Sequence, residues 1–170
     1  MSKDDELKGL GGWLILLGIG LVISPIRLLF VLIPTYKPIF EDGTWEAVTN
    51  PASIDYIPHL AVLLIGEMAA NTVVILAFFY LIYLFFSKHY LFPKVLICVA
   101  AVSVIMIPLD AWLVTKVFPD EQMFDPETTK EFLRSLVFAG IWIPYMFLSK
   151  RVQQTFVKEV PDSQLQAAQG

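Results

Sequence analysis

The chain has 170 residues, is 56% hydrophobic and carries a formal net charge of −4. Its mean hydropathy is +0.66, and its apolar residues come in four blocks (10–33, 60–86, 95–114 and 136–148) instead of being interleaved with polar ones. This excludes a water-soluble globule, and the single Cys98 excludes an intrachain disulfide.

Residues 1–9 are short and charged and read as a cytoplasmic N-terminus. The first apolar run, 10–33, is too long for a signal-peptide core and lacks a small-residue cleavage site after it, so it reads as a retained span. Trp13 stands at the expected interfacial belt. Gly20 and Ser24, one helical turn apart, form a small-residue face that permits close helix approach. Pro25 removes a backbone donor and predicts a kink, and Arg27 follows two residues later. The loop 34–57 holds Glu41, Asp42, Glu46 and Asp55 against Lys37 alone. Within it, Asn50-Pro51 reads as the cap and first residue of a short surface helix.

The second span, 58–86, carries one charge, Glu67, with Asn71 one turn further on. At about 1.5 Å per residue it is long enough to cross a hydrocarbon layer of roughly 30 Å. A turn with Lys88, His89 and Lys94 leads through Pro93 into the third span, 93–118. There Pro108 precedes Asp110 with the spacing already seen at Pro25 and Arg27. A second acidic loop ends at Asp125-Pro126-Glu127, a helix start with cap, proline and first-turn acid in order. The fourth span, about 132–149, holds Arg134, Trp142 and Pro144, and reaches spanning length when Arg134 and Lys150 extend their charges outward. A flexible polar tail, 159–170, is expected after it. The expected fold is therefore all-α: one membrane domain, 10–158, built as a bundle of four transmembrane helices.

Outside the spans, Lys3, Lys8, Lys88, Lys94, Lys150, Arg151 and Lys158 fall on one side, and Lys37, Lys116 and Lys130 on the other. The positive-inside rule then puts both termini in the cytoplasm and both acidic loops outside.

Charges within spans are costly unless paired, neutralised or wetted, so they are the first candidates for a site. Counted back from the outer helix ends, Arg27, Glu67 and Asp110 lie roughly 9–14 Å deep, and Arg134 lies nearer the surface. The expected arrangement is a neutral cluster in which Arg27 and Arg134 face Glu67 and Asp110, with Asn71 beside Glu67. Such clusters commonly do no more than fix helix register. The other reading is a site for an ion, a proton or a polar headgroup at Glu67. Pro25, Pro108 and Pro144 are expected as static kinks.

His59 and His89 stand at opposite ends of the second span, about 45 Å apart by helical rise, and cannot share a metal. No ligand spacing, nucleophile–base set or phosphate-binding glycine loop is visible, so no metal and no cofactor is expected. The expected partners are the lipid bilayer and either another membrane protein or a second copy, with no nucleic acid.

Gly11-Gly12-Trp13-Leu14 opens the first span, and Lys88 and Pro93 mark the turn before the third. Arg134 begins the fourth, followed by Trp142-Ile143-Pro144-Tyr145, Ser149, Arg151-Val152 and Thr155-Phe156. In these residues, and over 9–157, the chain resembles the bacterial inner-membrane proteins catalogued as domain of unknown function family 2569. The resemblance implies four membrane helices in a bacterial inner membrane and implies no activity. The residues themselves favour a small accessory or interaction protein whose buried charges fix the bundle. The alternative is a small transporter or a lipid- or ion-binding protein that uses Glu67. An intramembrane enzyme ranks last, because no reactive set converges at one depth.

Overall fold

The structure, a computed structural model, describes residues 9–157 and contains no strand among them. The expected N-terminal segment, apart from Gly9, and the expected tail 159–170 lie outside the described residues. Four helices are long and apolar enough to cross a membrane: α1 (Trp13–Glu41), α3 (Leu60–Phe86), α4 (Phe92–Val117) and α5 (Pro126–Leu148). Two short ones, α2 (Thr44–Thr49) and α6 (Lys150–Thr155), complete the fold. The protein is thus an all-helical, multi-pass membrane protein, as its four apolar blocks predict.

Helix ends depart from expectation in two places. First, α1 runs through Pro34 and Pro38 to Glu41 instead of stopping near residue 33. A proline removes one backbone donor, which inside a long apolar helix costs one bond and need not end the helix. The Thr35 hydroxyl donates to the Val31 carbonyl at 2.8 Å, and the Asp42 N–H closes the last turn on Pro38 at 3.2 Å. Second, Asn50 ends the surface helix α2 and opens none: its side chain accepts from the Ala52 N–H at 3.0 Å, an Asx turn. By contrast α5 begins at Pro126, where the Asp125-Pro126-Glu127 start predicts it, and Asp125 caps it by accepting from the Thr128 N–H at 2.6 Å.

That cap is sensitive to pH. The Thr128 backbone N–H holds the Asp125 carboxyl below the usual aspartate range. A depressed folded-state pKa contributes stability above the unfolded value, about 3.9, and the contribution is lost as pH falls through the folded value. Asp125→Ala is therefore expected to speed amide hydrogen exchange in the first turn of α5 at about pH 6. Once pH has fallen through the folded value the variant and the parent should converge.

The spans pack in chain order: α1 on α3, α3 on α4, and α4 on α5, the last pair sharing the most extensive contact. α1 and α5, at the two ends of this row, share no comparable contact. The core is correspondingly one-sided. Leu14, Leu17 and Leu21 of α1 pack with Leu81, Leu84 and Phe85 of α3, Phe92 and Leu96 of α4, Trp142 and Met146 of α5, and with Val152 and Phe156. All of them lie at the end of the bundle that holds both ends of the described chain. There Phe156 stacks on Phe92 with centroids 4.6 Å apart, and Phe85 meets Phe92 edge-on at 5.1 Å. Gly18 makes room for Phe85: a Cβ at that position would stand 2.7 Å from the ring.

A clasp joins the two chain ends. The Gly9 N–H donates to the Thr155 hydroxyl at 3.0 Å, and that hydroxyl donates to the Gly9 carbonyl at 3.2 Å. The Arg151 guanidinium lies over the Gly11-Gly12 turn, where a Cβ on Gly11 would meet Nη1 at 2.7 Å. Gly12 has φ 59°, a left-handed conformation that suits glycine. The opening and closing strings that carry the family resemblance therefore meet in space. Beyond Pro25, Leu81, Ala100 and Trp142, toward the opposite end, Leu60 and Ala111 alone are buried among the described residues. The bundle is packed at the clasp and loose at the far end.

Candidate functional site

The loose end contains a groove between α3 and α4. Helical spacing puts Leu63, Gly66 and Ala70 on one stripe of α3, with His59 at its N-cap, and Met106, Asp110, Leu113 and Val117 on one stripe of α4. The two stripes line the same cavity, of about 390 Å³. Glu67 and Asp110 are its acidic groups, and Val62, Leu63, Met106, Leu113 and Val117 supply apolar wall. His59 and Lys116 also line it, each next to a helix end. The Lys116 ammonium sits over the Trp112 ring, 4.9 Å from its centroid, which keeps that charge near the end of α4.

Glu67 is tied to α1 as well. The Tyr36 hydroxyl donates to Glu67 Oε2 at 3.4 Å and accepts from Asn71 Nδ2 at 3.3 Å. Both contacts are long for hydrogen bonds and hold the carboxylate only loosely. Asn71 thus reaches Glu67 through Tyr36. The sequence reading missed Tyr36 because it ended the first span at Pro34. The signal was present: Leu14, Leu17, Leu21, Pro25, Leu28, Leu32 and Tyr36 recur at three- and four-residue steps along the packed face of α1.

The expected site residues divide into two sets. Glu67, Asn71 and Asp110 come together. Arg27 and Arg134 are exposed, and neither pairs with an acid among the described residues. The one ion pair among those residues joins Lys37 to Glu41 at 3.5 Å on the surface, where it contributes little. Gly20 faces outward, with nothing within 4 Å of a Cβ placed there, and the Ser24 hydroxyl donates to the carbonyl of Gly20 itself at 2.7 Å. Close approach of α1 to α3 occurs at Gly18 instead. Pro25, Pro108 and Pro144 lie inside α1, α4 and α5, and each helix continues past its proline.

Chemically, the groove offers two carboxylates, an imidazole and an ammonium among apolar walls, with a phenol and an amide holding Glu67 from the α1 side. No three metal-ligating side chains converge among the described residues. Such a set can accept hydrogen bonds from, and balance the charge of, one positively charged group. A family model described as "Protein of unknown function (DUF2569)" matches residues 7–157. No curated protein and no solved structure matches the chain.

Proposed function

The chain belongs to the DUF2569 family, and from that premise we propose that its membrane bundle binds a positively charged group between α3 and α4. One observation carries this reading. Glu67 and Asp110, from two facing helices, line one groove, and among the described residues no arginine or lysine stands within pairing distance of either. Carboxylates inside a membrane span need a counter-charge or a proton, and here the chain's own arginines do not supply it. The bound group does. Tyr36 and Asn71 steady the Glu67 side chain from the α1 side.

The excess of lysine and arginine beside the chain ends and in the 87–94 turn supports cytoplasmic termini in a bacterial inner membrane, with the groove in the outer half of the bilayer. The accessory-protein reading keeps a basis of its own. Gly20, Ser24 and Arg27 share an outward face of α1, and that face suits a second membrane helix bearing an acid.

Native mass spectrometry of the full chain, extracted gently from its own membrane, tests the proposal. The parent is expected to retain one small cationic molecule that Glu67→Gln loses. A second protein in fixed ratio, indifferent to Glu67→Gln, would favour the accessory reading. A bare chain in both samples would count against the cation site.

A further inference from the structure

We infer that the group bound in this groove is the head of an amphiphilic organic cation that enters sideways from the bilayer. The inference rests on the cation-binding reading above and adds the chemical class of the ligand and its route. Three features of the groove carry it.

The first is its rim. Val62 is 74% exposed, Met106 41% and Leu113 40%, so the apolar wall continues onto the outer surface of the helices, which lipid covers. A ligand can therefore move from the lipid to the carboxylates without crossing a polar barrier, with its apolar part still in apolar surroundings.

The second is its size. A volume of about 390 Å³ lies in the range of small-molecule pockets and far exceeds what a bare ion fills. Gly66 adds to the room beside Glu67, since nothing lies within 4 Å of a Cβ built there. An inorganic cation would find two carboxylates and the His59 ring, an ammonium at Lys116 that repels it, and otherwise apolar wall. A hard cation of the calcium type prefers six to eight oxygens, and apolar walls cannot replace the waters it would shed.

The third is the order of charges. The two acids are central to the facing stripes, while Lys116 is held over Trp112 near the end of α4. A head that carries a phosphate beside its amine would bring negative charge against Glu67 and Asp110. A head that is only cationic meets the two carboxylates at the centre of the groove, with the Lys116 ammonium held over Trp112 toward the end of α4.

The test is equilibrium binding to the full-length chain in nanodiscs of zwitterionic lipid, with radiolabelled tetraphenylphosphonium and radiolabelled sodium as the two probes. Tetraphenylphosphonium is expected to bind saturably, with sodium neither binding nor competing. Glu67→Gln combined with Asp110→Asn should weaken it at least about tenfold. Gly66→Leu should do the same, because it fills the groove and leaves both carboxylates in place. If sodium binds saturably and Gly66→Leu leaves that binding unchanged, the site takes a small cation: the amphiphile inference falls and the cation reading survives. If neither probe binds saturably, both fall. Circular dichroism checks the fold of Gly66→Leu. Should that variant not fold, competition by tetramethylammonium replaces it, and competition equal to that of tetraphenylphosphonium would overturn the inference.

Discussion

Phe92→Ala is expected to destabilise the bundle by about 3 kcal/mol, read as reversible unfolding in mixed micelles of rising denaturing-detergent content. Phe92 is fully buried at the start of α4, stacked on Phe156 and edge-on to Phe85. Truncating a core phenylalanine in a water-soluble protein costs roughly 3–5 kcal/mol. The lower end of that range applies here. Lipid solvates apolar side chains almost as well as a core does, so the transfer from water contributes little to helix association in the membrane. What remains is the cavity and the lost dispersion contacts of a ring packed against two others. Phe79→Ala is the matched control, because Phe79 is 54% exposed on the outer surface of α3. Its effect should stay within about 0.5 kcal/mol. Equal losses at the two positions would mean that the clasp end is no better packed than the lipid-facing surface.

The contrast between the two ends of the bundle explains what could be read from the residues. Span number and span order follow from apolar runs alone, since a helix that satisfies its own backbone is the simplest way through hydrocarbon. The prolines were harder to read. Pro34 looks like a stop only when each proline is weighed by itself, and α1 continues because the rest of its backbone bonds survive. That error removed Tyr36 from the site. Pair spacing also misled: Gly20 and Ser24 form a small-residue face, yet the helix packs through Gly18, whose missing side chain admits Phe85. Which small residue faces a neighbour depends on the rotation of α1 against α3. That rotation is set by the whole stripe from Leu14 to Tyr36, and one pair of small residues does not reveal it. Arg27, Glu67 and Asp110 are expected at one depth because depth can be counted along each helix. Whether they touch depends on azimuth, which counting does not give. Arg27 falls on the face of α1 opposite its packed stripe, so sharing a depth with Glu67 brings it no nearer.

Glu67→Gln is expected to leave the bundle as stable as the parent or up to about 1 kcal/mol more stable, while abolishing ligand retention. A carboxylate held in a buried ion pair behaves in the opposite way. Removing one partner strands the other charge and costs roughly 3–5 kcal/mol. Here no arginine is stranded, because Arg27 and Arg134 pair with neither acid. Glutamine keeps an oxygen for the Tyr36 hydroxyl and removes one of two negative charges from a shared groove. The detergent-unfolding series that measures Phe92→Ala also measures this. A cycle of Glu67→Gln with Arg134→Met, and another with Arg27→Met, should show coupling below about 0.5 kcal/mol. A loss near 3 kcal/mol that either arginine substitution restores would return the acids to a purely structural cluster. The stability result bears directly on function. In a paired cluster the protein satisfies its own charge, and a ligand could only compete with it. In an unpaired groove the empty protein carries an unfavourable charge that binding relieves, so one substitution should stabilise the chain and remove its ligand together.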